Sequence, residues 1–196
     1  MAKKSSIQSM VGMGILTAIV VVLQFIGSAI HFGPFSISLV LAPIIIGAAL
    51  YGWKAGAWLG FVFGIMVLIT DASAFLGISV PGTVITCIMK GVLAGAAAGI
   101  IYKLLEKKNK TLAVITAGIA CPVVNTGVFL LGCVLFFLRT IESWGAAAGY
   151  ENVGKYLLFG FVGVNFLVEL AINLILSTAI VRILNIVKKP SESAAK

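Results

Sequence analysis

Six long apolar stretches dominate the chain, at about 10–30, 37–51, 55–70, 82–105, 111–138 and 155–187. A helix needs about 20 mostly apolar residues to cross the hydrocarbon of a bilayer. In lipid, backbone polar groups find partners only within a helix or a closed barrel. Continuous runs such as 19–23 and 39–50 lack the alternation of a membrane strand. The pattern predicts an all-α integral membrane protein, a single six-helix domain over residues 1–196. The second and third stretches are short and joined only by Gly52-Trp53-Lys54, which predicts a tight helical hairpin. The last three are long enough to tilt or to extend past the hydrocarbon. Composition closes off the alternatives. Of 196 residues, 61% are hydrophobic and 10% charged, too little polar surface to cover a soluble domain. The net charge of +8 therefore does not make this a soluble nucleic-acid binder. The first stretch follows Lys3 and Lys4 as a secretory leader would. Its apolar core is longer than a leader's and more spans follow, so the segment is expected to stay.

Lys and Arg concentrate on the cytoplasmic side of membrane proteins. Six spans with both termini cytoplasmic put Lys3, Lys4, Lys54, Lys103, Lys107, Lys108, Lys110, Arg182, Lys188, Lys189 and Lys196 together on that side. The other side then carries only Arg139 and Lys155, against Asp71, Glu142 and Glu151. The outer connections, 31–36, 71–81 and 139–154, are longer than the inner turns and hold Phe32, Phe35, Phe75, Trp144 and Tyr150. Singly, such aromatics suit a belt at the lipid headgroups. Three aromatic loops on one side instead suggest a lidded pocket opening outward.

Ionisable residues at membrane depth are costly and mark function or a buried pair. Two qualify, Lys90 in the fourth stretch and Glu169 in the sixth. Asn165, Glu169 and Asn173 recur every four residues and share a helix face, as do Thr83, Thr86 and Lys90. Asn125 falls in the same band of the fifth stretch. Stretches four to six can thus each turn polar groups toward a common interior, where they could bind a polar solute. The alternative is a Lys90–Glu169 ion pair, with Asn side chains joining helices. Gly56, Gly60 and Gly64, and again Gly91, Gly95 and Gly99, form small-residue stripes suited to close helix packing. Pro81 sits where the fourth helix should start. Pro43 and Pro122 lie inside spans and are expected to kink them.

Catalytic signatures are missing. The chain has no GxxxxGK[ST] phosphate loop, no GxSxG and no HExxH. Its cysteines, Cys87, Cys121 and Cys133, lie in apolar runs and read as free and buried. No metal site is expected, and no cofactor in this chain. With no internal repeat of the kind secondary transporters carry, the sequence suggests a non-enzymatic subunit that binds a solute.

The chain resembles the membrane-embedded substrate-binding subunit (S-component) of energy-coupling factor vitamin transporters. The resemblance covers nearly the whole length. It rests on the six-span layout and on three segments: Phe32-Gly-Pro-Phe-Ser-Ile-Ser-Leu, Lys90-Gly-Val-Leu-Ala-Gly and Pro122-Val-Val-Asn-Thr-Gly. The resemblance implies a prokaryotic plasma-membrane protein that captures a vitamin from outside, between spans four to six and the outer loops. It implies docking to a membrane-embedded coupling subunit served by two cytosolic ATPases, which use the ATP. The loaded subunit would topple in the bilayer to deliver its solute. The family's small-residue contact with the coupling subunit maps to Gly14 and Ala18, with Gly14 replacing the first Ala of the usual pattern. Spans one to three would then face lipid, with Gln24 their one strongly polar residue.

On this reading Lys90 and Arg139 would meet a carboxylate or phosphate. Asn125, Asn165, Glu169 and Thr86 would meet hydroxyl or amide groups. Phe35, Phe75 and Trp144 would close over the site. The set suits a carboxylated vitamin such as pantothenate. Riboflavin, folate or thiamine stacked on the aromatics is the alternative, and a membrane scaffold with no transport role is another.

Overall fold

A computed structural model describes residues 6–29, 31–32, 35–36 and 39–188. Lys3, Lys4, Lys189 and Lys196 lie outside the described residues. Among the described residues the regular structure is helical apart from one small ladder. Helix α1 (Ser6–Ser28) leads to strands β1 (His31–Phe32) and β2 (Phe35–Ser36), antiparallel with His31 opposite Ser36. Then follow α2 (Leu41–Tyr51), α3 (Trp53–Thr70), α4 (Ser73–Leu76), α5 (Val80–Leu105), α6 (Lys110–Phe136), α7 (Leu138–Ala147) and α8 (Val153–Lys155). A π-helical turn, Tyr156–Phe161, runs into α9 (Gly163–Lys188).

Among the described residues, five helices are long and apolar enough to cross a membrane: Ile7–Ser28, Trp53–Thr70, Val80–Leu105, Lys110–Phe136 and Gly163–Val187. The second predicted span is different. Its helix begins at Leu41, and its 11 residues reach only ~16 Å. Leu41, Ile44 and Ile45 are fully buried, and α2 touches α1, α3, α5, α6 and α9. This corrects, for the second span, the expectation that spans one to three face lipid. A helix apolar on all sides belongs at the centre of the bundle. Pro43 also loses its expected kinking role. It occupies the first turn of α2, where a backbone N–H would have no partner inside the helix. Pro122 does lie inside α6, which continues past it to Phe136.

The glycine stripes form the central seam. A Cβ at Gly56 would collide with the Gly95 carbonyl, one at Gly60 with that of Gly91, and one at Gly64 would lie 2.6 Å from that of Cys87. The reverse collisions hold for Gly91 and Gly95. Helices α3 and α5 therefore run antiparallel with their backbones in contact. This is the close approach that small residues at every fourth position permit.

Helix ends follow local chemistry. The Asn109 side chain accepts from the backbone N–H groups of Thr111 (2.9 Å) and Leu112 (3.1 Å), starting α6 after a tight turn. Ser79 caps α5 through the Gly82 N–H, with Pro81 in its first turn. Gly149 has φ +82°, and the Tyr150 N–H returns to the Gly145 carbonyl to close α7. Segment 139–154, expected to be a loop, is thus largely α7 and α8. The sixth span also starts later than residue 155. A Cβ at Gly163 would strike the Leu158 carbonyl, and the Val162 N–H bonds back to Leu157, one residue beyond α-helical spacing.

Candidate functional site

One end of the bundle holds the short turns with Lys54, Lys103, Lys107, Lys108 and Lys110. The other carries α4, α7 and the π turn. A cavity opens between the helices toward this second end. Six of the predicted site residues line it together: Phe75, Thr86, Lys90, Asn125, Asn165 and Glu169.

Each wall follows from a helical repeat. On α5, Thr83, Thr86 and Lys90 descend one face. Lys90 lies ~15 Å from the start of α5 by helical rise. Its Nζ sits 5.5 Å from the Phe63 ring centroid and 5.3 Å from that of Phe129. The negative faces of these rings hold the ammonium. Lys90 and Glu169 line the same cavity, from α5 and α9.

On α9, Asn165 Nδ2 donates to Glu169 Oε1 at 3.2 Å. Asn173 Nδ2 donates to the Glu169 carbonyl, and Ser177 Oγ to the Asn173 carbonyl, each at 2.8 Å. This polar face continues below the cavity, which Asn173 does not line. Asn125 of α6 is buried, and its Oδ1 has no hydrogen-bond partner, as is true of Asn165 Oδ1 and Thr86 Oγ1. Buried acceptors without donors are costly. A ligand carrying N–H or O–H groups would satisfy them.

Aromatic rings roof the cavity. Phe75, from α4, meets Phe129 (5.8 Å), Phe137 (4.9 Å), Trp144 (5.8 Å) and Phe161 (6.4 Å), all edge to face. Trp144 packs behind Phe75 and Phe161 and does not itself line the cavity. Arg139 lies exposed on α7, also away from the lining. Phe35 lies on β2, and its side chain is outside the described residues. Replacing Phe75 with Ala should weaken ligand binding about tenfold, chiefly through faster release, since it opens the roof without touching a polar contact. Stopped-flow dissociation measures this.

Sequence reasoning missed part of the wall. Gln24, expected to face lipid, is buried, and its Nε2 donates to Asp71 Oδ2 at 2.6 Å and Thr70 Oγ1 at 3.1 Å. Gln24, Asp71, Ala72, Phe137 and Val162 all line the cavity, so α1 and α3 contribute beside the predicted α5, α6 and α9. The signal was there in Gln24, one amide on an otherwise apolar helix. Gly14 and Ala18 are exposed on the opposite side of α1, and a Cβ at Gly14 would meet nothing within 4 Å.

No solved structure matches the chain. The chain is 30% identical to "Pantothenic acid transporter PanT" of Lactococcus lactis subsp. cremoris (strain MG1363), over 197 aligned residues covering 91% of this chain and 94% of that protein. The model of the family "ECF transporter, substrate-specific component" matches residues 8–181. A chain matched to that family over most of its length, with polar side chains of three helices converging on a cavity under an aromatic roof, belongs to the substrate-specific components of ECF transporters.

Proposed function

We propose that this chain captures pantothenate, or a vitamin sharing its carboxylate, amide and hydroxyl groups, from outside the cell. The observation that carries the proposal is Lys90. Its ammonium stands inside a membrane bundle, between the Phe63 and Phe129 rings, in the wall of the cavity. A ligand carboxylate pairs with it. The unpartnered oxygens of Asn125, Asn165 and Thr86 then receive the ligand's N–H and O–H groups. The similarity to a pantothenic acid transporter supports the same ligand.

The positive-inside distribution supports six crossings, with both termini cytoplasmic and the aromatic roof outside, in the plasma membrane of a prokaryote. The buried α2 and the β1–β2 ladder before it would together make the second crossing. We assign α1 as the face that meets a coupling subunit served by two ATPases. Gly14 and Ala18 are exposed there among Ile7, Met10, Val11 and Ile15, an apolar surface that can exchange lipid for a partner helix. ATP would be consumed by the partners alone.

Isothermal titration of vitamin-free, detergent-purified protein tests the assignment. Pantothenate should bind at one site per chain with no ATPase activity, while thiamine and riboflavin should give no heat at the same concentrations. Binding of thiamine or riboflavin in place of pantothenate would refute the ligand assignment, and silence toward all three would refute vitamin capture by this pocket.

A further inference from the structure

The proposed ligand leaves two carboxylates of the cavity wall, Asp71 and Glu169, without a task. Asp71 lines the cavity at the end of α3. Gln24 Nε2 and the Thr70 hydroxyl both reach the same carboxylate oxygen, Oδ2, each at 2.6 Å. Gln24 is 2% exposed, so this amide was buried in the bundle to meet Asp71. Two bonds converging on one oxygen fix the carboxylate's orientation while leaving Oδ1 out of that network.

The glycine seam fixes where Asp71 stands relative to Lys90. Gly60 faces Gly91 and Gly64 faces Cys87, so residue 71 of α3 is level with residue 80 of α5. The backbone levels of Asp71 and Lys90 are therefore ~15 Å apart along the bundle. The Lys90 side chain leans toward the start of its helix, which shortens the gap between the charged atoms. The cavity thus holds an ammonium at depth and an oriented carboxylate near the roof, with Glu169 on its α9 wall. Pantothenate has the matching polarity. Its carboxylate and its primary hydroxyl lie at opposite ends of a chain that extends to roughly 10 Å.

We propose that Asp71 is a specificity-determining residue, accepting the primary hydroxyl of the vitamin on Oδ1 while Lys90 holds the carboxylate, with Gln24 as the positioning residue that aims Asp71. This rests on the functional reading above and extends it to ligand direction. A ligand with two anionic ends is rejected by Asp71, and one lacking the hydroxyl leaves Oδ1 unserved. The group that reads the hydroxyl is tied directly to α1.

Titration calorimetry with pantothenate and with an analogue lacking only the primary hydroxyl tests the assignment in the full chain. The wild type should bind the analogue at least tenfold more weakly, because a charge-assisted hydrogen bond is lost. Asp71→Ala should bind both ligands within about threefold of one another. Gln24→Leu should keep the acceptor but lose its aim, and so give intermediate discrimination. If Asp71→Ala does not fold, Asp71→Asn retains an acceptor for Gln24 and should discriminate several-fold less than the wild type. Wild-type discrimination surviving at either Asp71 variant would overturn the proposal and leave Asp71 as a tether for α1. A wild type that binds both ligands equally would overturn it too. A wild type that binds neither would overturn the pantothenate reading along with it.

Discussion

Replacing Lys90 with Met should reduce pantothenate affinity by about a hundredfold or more, while the empty protein melts at the same or a higher temperature. Met keeps an unbranched side chain between Phe63 and Phe129, so packing changes little. The ligand carboxylate loses its cation, and leaving one partner of a buried charge pair alone costs about 2–5 kcal/mol. In the empty protein the sign reverses. The wild type carries a desolvated ammonium between two aromatic rings, and an apolar side chain of similar volume relieves that desolvation. Titration calorimetry and thermal melting in detergent measure the two effects together. Retained affinity would mean that the ligand's anion is held elsewhere. A large drop in melting temperature would mean that Lys90 serves the bundle rather than the solute.

Gly60→Val should destabilise the bundle by about 3 kcal/mol, near the top of the usual range for overpacking. The added Cβ falls on the Gly91 carbonyl, which is backbone and cannot swing aside as a side chain would. Only separation of α3 from α5 makes room. That separation reaches the cavity, because Cys87 and Lys90 stand on the next turn of α5. Gly14→Ala is the contrasting substitution. Its Cβ meets nothing within 4 Å, and Ala is the better helix former, so stability should hold or rise slightly. Melting temperatures of the two variants in one detergent compare them directly. Equal stability would show that the α3–α5 seam tolerates loosening.

Much of the site was legible because membrane helices make polar residues conspicuous. Lys90, Asn125, Asn165 and Glu169 stand out against apolar neighbours, and their spacing assigns a face to each helix. The glycine stripes were legible for the same reason, though the sequence could not say that they pair with each other. What escaped reading depends on length and on partners. The stretch 37–51 is as apolar as a span, and nothing in its composition distinguishes lipid from a protein interior, so the central position of α2 came only with the structure. Gln24 was assigned to the lipid side because its partner, Asp71, lies far along the chain. Arg139 looked available for a ligand because charge is visible in sequence while helix rotation is not. Ile141 and Gly145 turn the other face of α7 inward. The π turn before α9 depends on Gly163, whose closeness to the Leu158 carbonyl has no periodic signature.

The cavity has walls of unequal mechanical character. On one side lies the α3–α5 seam, where backbone touches backbone and almost no freedom is left to lose. On the other lies a segment that enters α9 through widened hydrogen-bond rings and a break at Val162, beneath a packed cluster of aromatic rings. The stiff wall is ordered once the chain folds, so a solute that the cavity binds would meet a surface already in place.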